Sequence, residues 1–115
     1  MQVQIFGTKK SPETRKALRF FAERRIPVHF NDLNERAASK GELQRFIQKF
    51  GVPALVDRES KRFKDLGLDA SHLSDQRWID KLLDEPLLLK IPLVRLENKL
   101  TIGDAEAEWK LWTVR

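Results

Sequence analysis

The opening segment places the tightest constraint on the fold. Gln2, Val3, Gln4 and Ile5 alternate polar and apolar up to Phe6, the period of a half-buried strand. The loop Gly7-Thr8-Lys9-Lys10-Ser11 follows. Pro12 to Arg24 then carries Ala17, Leu18, Phe20, Phe21 and Ala22 on one side, with Arg15, Lys16, Arg19 and Glu23 elsewhere, as an amphipathic helix does. Arg25-Ile26-Pro27 ends the helix. Val28-His29-Phe30 reads as a second short strand, followed by a polar turn through Asn31 and Asp32. A strand, a helix and a strand joined this closely predict a parallel pair with a right-handed crossover.

The remainder supplies helices and then a hairpin. Ser39-Lys40-Gly41-Glu42 has the form of a capping box. Leu43, Phe46, Ile47 and Phe50 follow at helical spacing, and Gly51 is a C-terminal stop. A short helix is expected over Arg62 to Leu66, ended by Gly67. Ser74 caps another, with Trp78, Ile79, Leu82 and Leu83 as its apolar side and Pro86 as its stop. Leu93 to Leu96 and Lys99 to Ile102 form a hairpin around Glu97-Asn98, and Asp104 to Trp112 reads as a short amphipathic helix. The expected fold class is α/β: a mixed sheet flanked by helices, with a helical insertion between strands two and three. Residues 1–115 read as a single domain without repeats, linkers or low-complexity segments.

Composition narrows the chemistry. The chain contains no cysteine, which excludes disulfides, thiolate catalysis and thiolate metal sites together. His29 and His72 lack metal-ligand spacing to each other or to a close acidic pair, so no metal site is expected. No apolar run approaches the roughly 20 residues of a membrane span, and no signal peptide is evident, so a cytoplasmic protein is expected. The net charge of +5 permits an acidic partner or a small anion. The basic stretch Arg15 to Arg25 could follow a nucleic acid, but Phe20 and Phe21 fall at core positions and not on a stacking platform; nucleic acid is therefore not the expected partner.

The loop before the first helix is the main candidate site. Ser11 before Pro12 is a good helix start, and Glu13 suits the positive end of the helix dipole. A well-built N-terminus accounts for these residues without any function. The functional reading is that Lys9, Lys10, Ser11, Thr14 and Arg15 hold a small anion at this helix N-terminus. Ser11 has no adjacent base in the sequence to make it a nucleophile. Trp109 and Trp112, three apart on the last helix, either pack on the sheet or form an exposed partner site.

The segments "FGTKKSPETRKALRFF", "VHFNDLNERAASKGELQRFI", "RFKDLGLDASHLSDQRWIDKLLDEPLLLKIPLV" and "NKLTIG" resemble the arsenate reductase (ArsC)/Spx family of thioredoxin-like proteins over almost the whole chain. The resemblance implies a thioredoxin-like fold with about four strands. It puts the family's catalytic cysteine at Ser11, and the second cysteine of Spx-like members at Thr14. It also implies that family arginines are missing: Ile91 stands where one precedes the proline, Glu59 at another position beside Arg58 and near Arg62, and a third falls around Ile102. Pro92 matches a proline held in cis and expected to face Ser11.

By this resemblance Ser11, Thr14 and Pro92 are the remains of a catalytic site. The leading expectation is a redox-inactive binding or regulatory module without a cofactor. Its nearest functional analogues are Spx proteins, which contact the RNA polymerase alpha C-terminal domain. The alternative is a glutathione-dependent oxidoreductase or transferase. In it Ser11 or Thr14 stabilises the thiolate of bound glutathione, while Lys10 and Arg15 hold its carboxylates.

Overall fold

The computed structural model describes residues 1–68 and 72–114. The chain divides into two compact units, one formed by Met1–Asp32 with Ile91–Arg115 and the other by Leu33–Lys90.

The first unit is built on a four-stranded sheet in the order β2-β1-β3-β4. Its strands are β1 (Val3–Gly7), β2 (Val28–Asp32), β3 (Leu93–Leu96) and β4 (Lys99–Ile102). β1 and β2 are parallel, with Val3 opposite Val28 and Gly7 opposite Asp32. β3 runs antiparallel to both β1 and β4. The sheet is therefore mixed, and the expected strand–helix–strand crossover and final hairpin are both present. β2 is longer than its sequence suggested. Asn31 and Asp32 do not form a turn but pair with Phe6 and Gly7. Hydrogen bonding to a neighbouring strand overrides the turn preference of these residues.

One face of the sheet carries the core of this unit. Val3, Ile5, Val94 and Leu96 pack with Ala17, Phe20 and Phe21 of α1 (Pro12–Glu23) and with Trp109 of α6 (Glu106–Trp112). Phe20 and Phe21 meet edge-on at 5.0 Å, and their rings lie 5.6 and 5.7 Å from that of Trp109. Such contacts contribute beyond the area they bury. The α1 helix ends in a Schellman motif: Arg25 N–H donates to the Ala22 carbonyl and Ile26 N–H to the Phe21 carbonyl. Arg25 occupies the left-handed position with φ of 58°, where glycine is the usual residue.

The second unit is helical. It contains α2 (Lys40–Phe50), α3 (Val52–Leu55), α4 (Lys61–Asp65), α5 (Asp75–Asp84) and a 3-10 turn at Pro86–Leu88. Serines cap three of these helices: Ser39 accepts from Glu42 N–H, Ser60 from Phe63 N–H and Ser74 from Arg77 N–H. The Ser39–Glu42 capping box is complete in both directions. Helix α3 was not expected from the sequence, where Gly51 reads only as the stop of α2. Gly51 does cap α2, with φ of 82°, and Pro53 sits in the first turn of α3, where its missing N–H costs nothing. Val56 and Leu89 form an isolated bridge, and Phe63 stacks on Trp78 with centroids 6.3 Å apart. Among the described residues, no helix is long and apolar enough to cross a membrane.

Candidate functional site

The site lies where β1 gives way to α1. The chain turns through Thr8 to Ser11, and the Ser11 N–H donates to the Thr8 carbonyl at 3.2 Å. The Ser11 hydroxyl both accepts and donates. It accepts from the Thr14 N–H at 3.1 Å and donates to Glu13 Oε2 at 3.2 Å. The Ser11 carbonyl accepts from the Arg15 N–H at 3.0 Å, so the first turn closes as a standard capped N-terminus. Glu13 brings a carboxylate of the chain itself to the positive end of the helix dipole.

The sequence candidates separate in the structure. Lys9, Lys10 and Arg15 are exposed around the half-buried Ser11. Thr14 was expected among the ligand contacts, but it is fully buried. Its side chain points at Gly7. A Cβ on Gly7 would lie 2.6 Å from Thr14 Cγ2 and closer still to Oγ1, so the glycine is what lets α1 approach the end of β1. This contact explains the correction: the first turn of the helix presses its Thr14 face into the strand instead of presenting it on the loop.

Pro92 is buried, and the Ile91–Pro92 peptide is cis, as the resemblance implied. The Pro92 carbonyl accepts from the Gly103 N–H at 2.8 Å, which ties the start of β3 to the residue just beyond β4. Ile91, where the resemblance implies an arginine, contributes no charge.

A further tie, not foreseen from sequence, joins α1 to the acidic segment after β4. Lys16 Nζ lies 2.8 Å from Asp104 Oδ2 and 3.8 Å from Glu106 Oε2. The hydrogen bond to Asp104 raises the Lys16 pKa above its ordinary value, and the same bond holds Asp104 below the usual aspartate value. The advance signal for it was the acidic run Asp104-Ala105-Glu106 following "KLTIG". Lys16 is thus an internal partner, while Lys9 and Lys10 on the loop remain exposed.

Trp109 requires another correction. It is completely buried, and its indole Nε1–H donates to Thr101 Oγ1 at 2.9 Å. A tryptophan in a core must satisfy its N–H, and Thr101 on β4 does so. Trp109 therefore cannot belong to an exposed pair. Trp112, one turn on, is half-buried. Among the described residues, no group of three His, Asp or Glu side chains gathers to hold a metal ion.

The mixed sheet, its helices and the loop before α1 define a thioredoxin-like protein of the arsenate reductase type. The model of the ArsC family matches residues 6–111, and the chain belongs to that family. It is 29% identical over 105 residues to the global transcriptional regulator Spx 2 of Oceanobacillus iheyensis, covering 90% of this chain and 77% of that protein. It is 25% identical over 105 residues to an arsenate reductase of Neisseria meningitidis, covering 89% and 90%. The solved arsenate reductase from Vibrio cholerae superposes with a TM-score of 0.82 at 26% identity, over 99% of this chain and 98% of that one. The present chain has the fold of this family without a single cysteine.

Proposed function

We propose that this protein is a redox-inactive ArsC-family member that works as a binding or regulatory module in the cytoplasm, engaging a protein partner and turning over no arsenate. One observation carries the reading. The hydroxyl at the family's thiol position is committed to the helix: it caps the Thr14 N–H and donates to Glu13. The acceptor it meets is an exposed carboxylate, too weak a base to turn a serine hydroxyl into an effective nucleophile. Thr14, at the second cysteine position of Spx-like members, is buried against Gly7, and neither position can join a disulfide. The loop is therefore held in one state.

The RNA polymerase alpha C-terminal domain is the partner this reading favours, by analogy with the relatives named as global transcriptional regulators. Lys9, Lys10 and Arg15 give the loop a positive surface that also suits a small anion. Glutathione is not a cofactor under this reading. The Ser11 proton is committed to Glu13, and the Thr14 hydroxyl is buried away from the loop, so neither meets an external thiolate. Three measurements test the proposal. Arsenate reduction with glutathione and glutaredoxin should stay at background, and turnover above background refutes redox inactivity. Calorimetry with millimolar glutathione should give no saturable heat. Titration with the polymerase alpha C-terminal domain should give saturable association, and none at high micromolar concentration removes that partner.

A further inference from the structure

At the far end of α1 from Ser11, the N-terminus, the helix's C-terminal turn and the end of α6 enclose a cavity of about 280 Å³. Its apolar surface comes from Met1, Ile26, Trp112 and Val114, and its rim carries Arg24. These residues are held by different devices. The Schellman motif fixes Ile26, whose N–H donates to the Phe21 carbonyl at 3.0 Å. Trp112 and Ile26 both pack against the core of the sheet. Met1 and Val114 are exposed, at 74% and 71%, so part of this apolar surface has nothing over it among the described residues.

The cation on the rim is placed in advance. Arg24 stacks on the Phe20 ring, with its guanidinium carbon 3.6 Å from the centroid, and donates from Nη1 to the Phe20 carbonyl at 3.1 Å. No carboxylate pairs with it among the described residues. None of the described residues lining the cavity is acidic. Arg25, between two lining residues, adds a second exposed cation, and it does so in the left-handed conformation, which is unfavourable for a non-glycine residue. An apolar floor beneath a stacked guanidinium, with no acidic side chain lining the pocket among the described residues, complements a group that is both apolar and anionic.

We propose that this cavity docks a segment of a protein partner in which a leucine or phenylalanine stands next to an aspartate or glutamate. The apolar side chain enters between Ile26 and Trp112, and the carboxylate meets the open edge of the Arg24 guanidinium. The fixed fork of an arginine suits a carboxylate, and its prior stacking lowers the ordering cost of binding. The inference gives the partner surface of the binding-module reading a stated chemistry, and rests on that reading for its biological sense.

The test uses the full chain and two blocked peptides, acetyl-Glu-Leu-Phe-Glu-amide and its counterpart with lysine in place of both glutamates. Proton–nitrogen spectra are followed during titration. The acidic peptide should shift the Trp112 indole and the backbone signals of Ile26 and Val114 saturably in the millimolar range, while the lysine peptide should not. Arg24→Gln should weaken binding about tenfold, the loss of one charge-assisted contact. Arg25→Gly should raise the melting temperature by relieving the left-handed residue, yet also weaken binding; a purely structural role predicts only the first effect. Ser11→Ala should leave peptide binding unchanged. Absence of saturable shifts at millimolar acidic peptide overturns the proposal, as does equal binding of the lysine peptide or a response confined to the Ser11 loop. Arsenate turnover alongside peptide binding would instead refute redox inactivity and leave this site standing.

Discussion

The hydroxyl of Thr14 is buried and has no hydrogen-bond partner among the described residues, whereas its own N–H is capped by Ser11. A buried, unsatisfied hydroxyl loses its hydration and receives nothing in exchange, which typically costs about 1–3 kcal/mol. Valine has nearly the same shape and the same branching at Cβ, so it can occupy the same space against Gly7 without the polar atom. Thr14→Val is therefore expected to stabilise the protein by about 1 kcal/mol, a rise of roughly 4 °C in melting temperature for a domain of this size. Thermal unfolding followed by circular dichroism checks this, and an unchanged or lowered melting temperature would mean that the hydroxyl has a partner after all. None of this was visible in "GTKKSPETRK". The sequence displays Ser11 and Thr14 alike, as small hydroxyl residues at a helix start. Only the approach of α1 to β1 turns one outward as a cap and the other inward against a glycine.

At the level of the elements, signals confined to a few neighbouring residues translated directly into structure. The serines before α1, α2 and α5 and the box at Ser39–Glu42 are local hydrogen-bonding devices, and each appears where its residues indicated. The end of β2 and the existence of α3 were not legible, because a partner strand decides the first and packing decides the second. The α2 capping box also makes the folded state sensitive to acid. Burial pushes the Glu42 carboxyl upward, but hydrogen bonds from Arg36 and from the Ser39 backbone outweigh it and hold its pKa below the ordinary glutamate value. Arg36 meets both carboxylate oxygens, at 3.3 and 3.2 Å. A carboxylate depressed on folding stabilises the native state above its unfolded pKa, and that contribution disappears as pH falls through the lower, folded value. Glu42→Gln keeps an acceptor for the Ser39 N–H but removes the charge. It should lower stability by about 0.5 kcal/mol at neutral pH and converge with the parent protein in strong acid. Urea unfolding across the acid range reads this out; a difference that persists unchanged below the glutamate range would assign the effect to the box geometry and not to charge.

Across the whole molecule, the departures from the family's chemistry are spread over separate elements. By the resemblance, Ser11 stands in place of sulfur at the start of α1, Ile91 in place of an arginine before the cis proline, and two further arginine positions fall at Glu59 and around Ile102. A thiolate attacks an oxyanion only if something neutralises that anion in the transition state. Restoring one part should therefore not restore the reaction. Ser11→Cys places a thiol at a helix N-terminus beside Lys9, Lys10 and Arg15, conditions that favour the thiolate, with Glu13 opposing them. The variant is expected to react readily with iodoacetamide at neutral pH and still show no arsenate reduction with glutathione and glutaredoxin. Adding Ile91→Arg to it should bring turnover above background, since the guanidinium returns beside the proline that the scaffold has kept. The two outcomes separate distinct losses. Turnover by Ser11→Cys alone would show that the loop still binds the oxyanion, which would leave the missing sulfur to account for the proposed inactivity. A thiol that alkylates but never turns over, with or without Ile91→Arg, would place the remaining deficit at the other arginine positions that the resemblance implies.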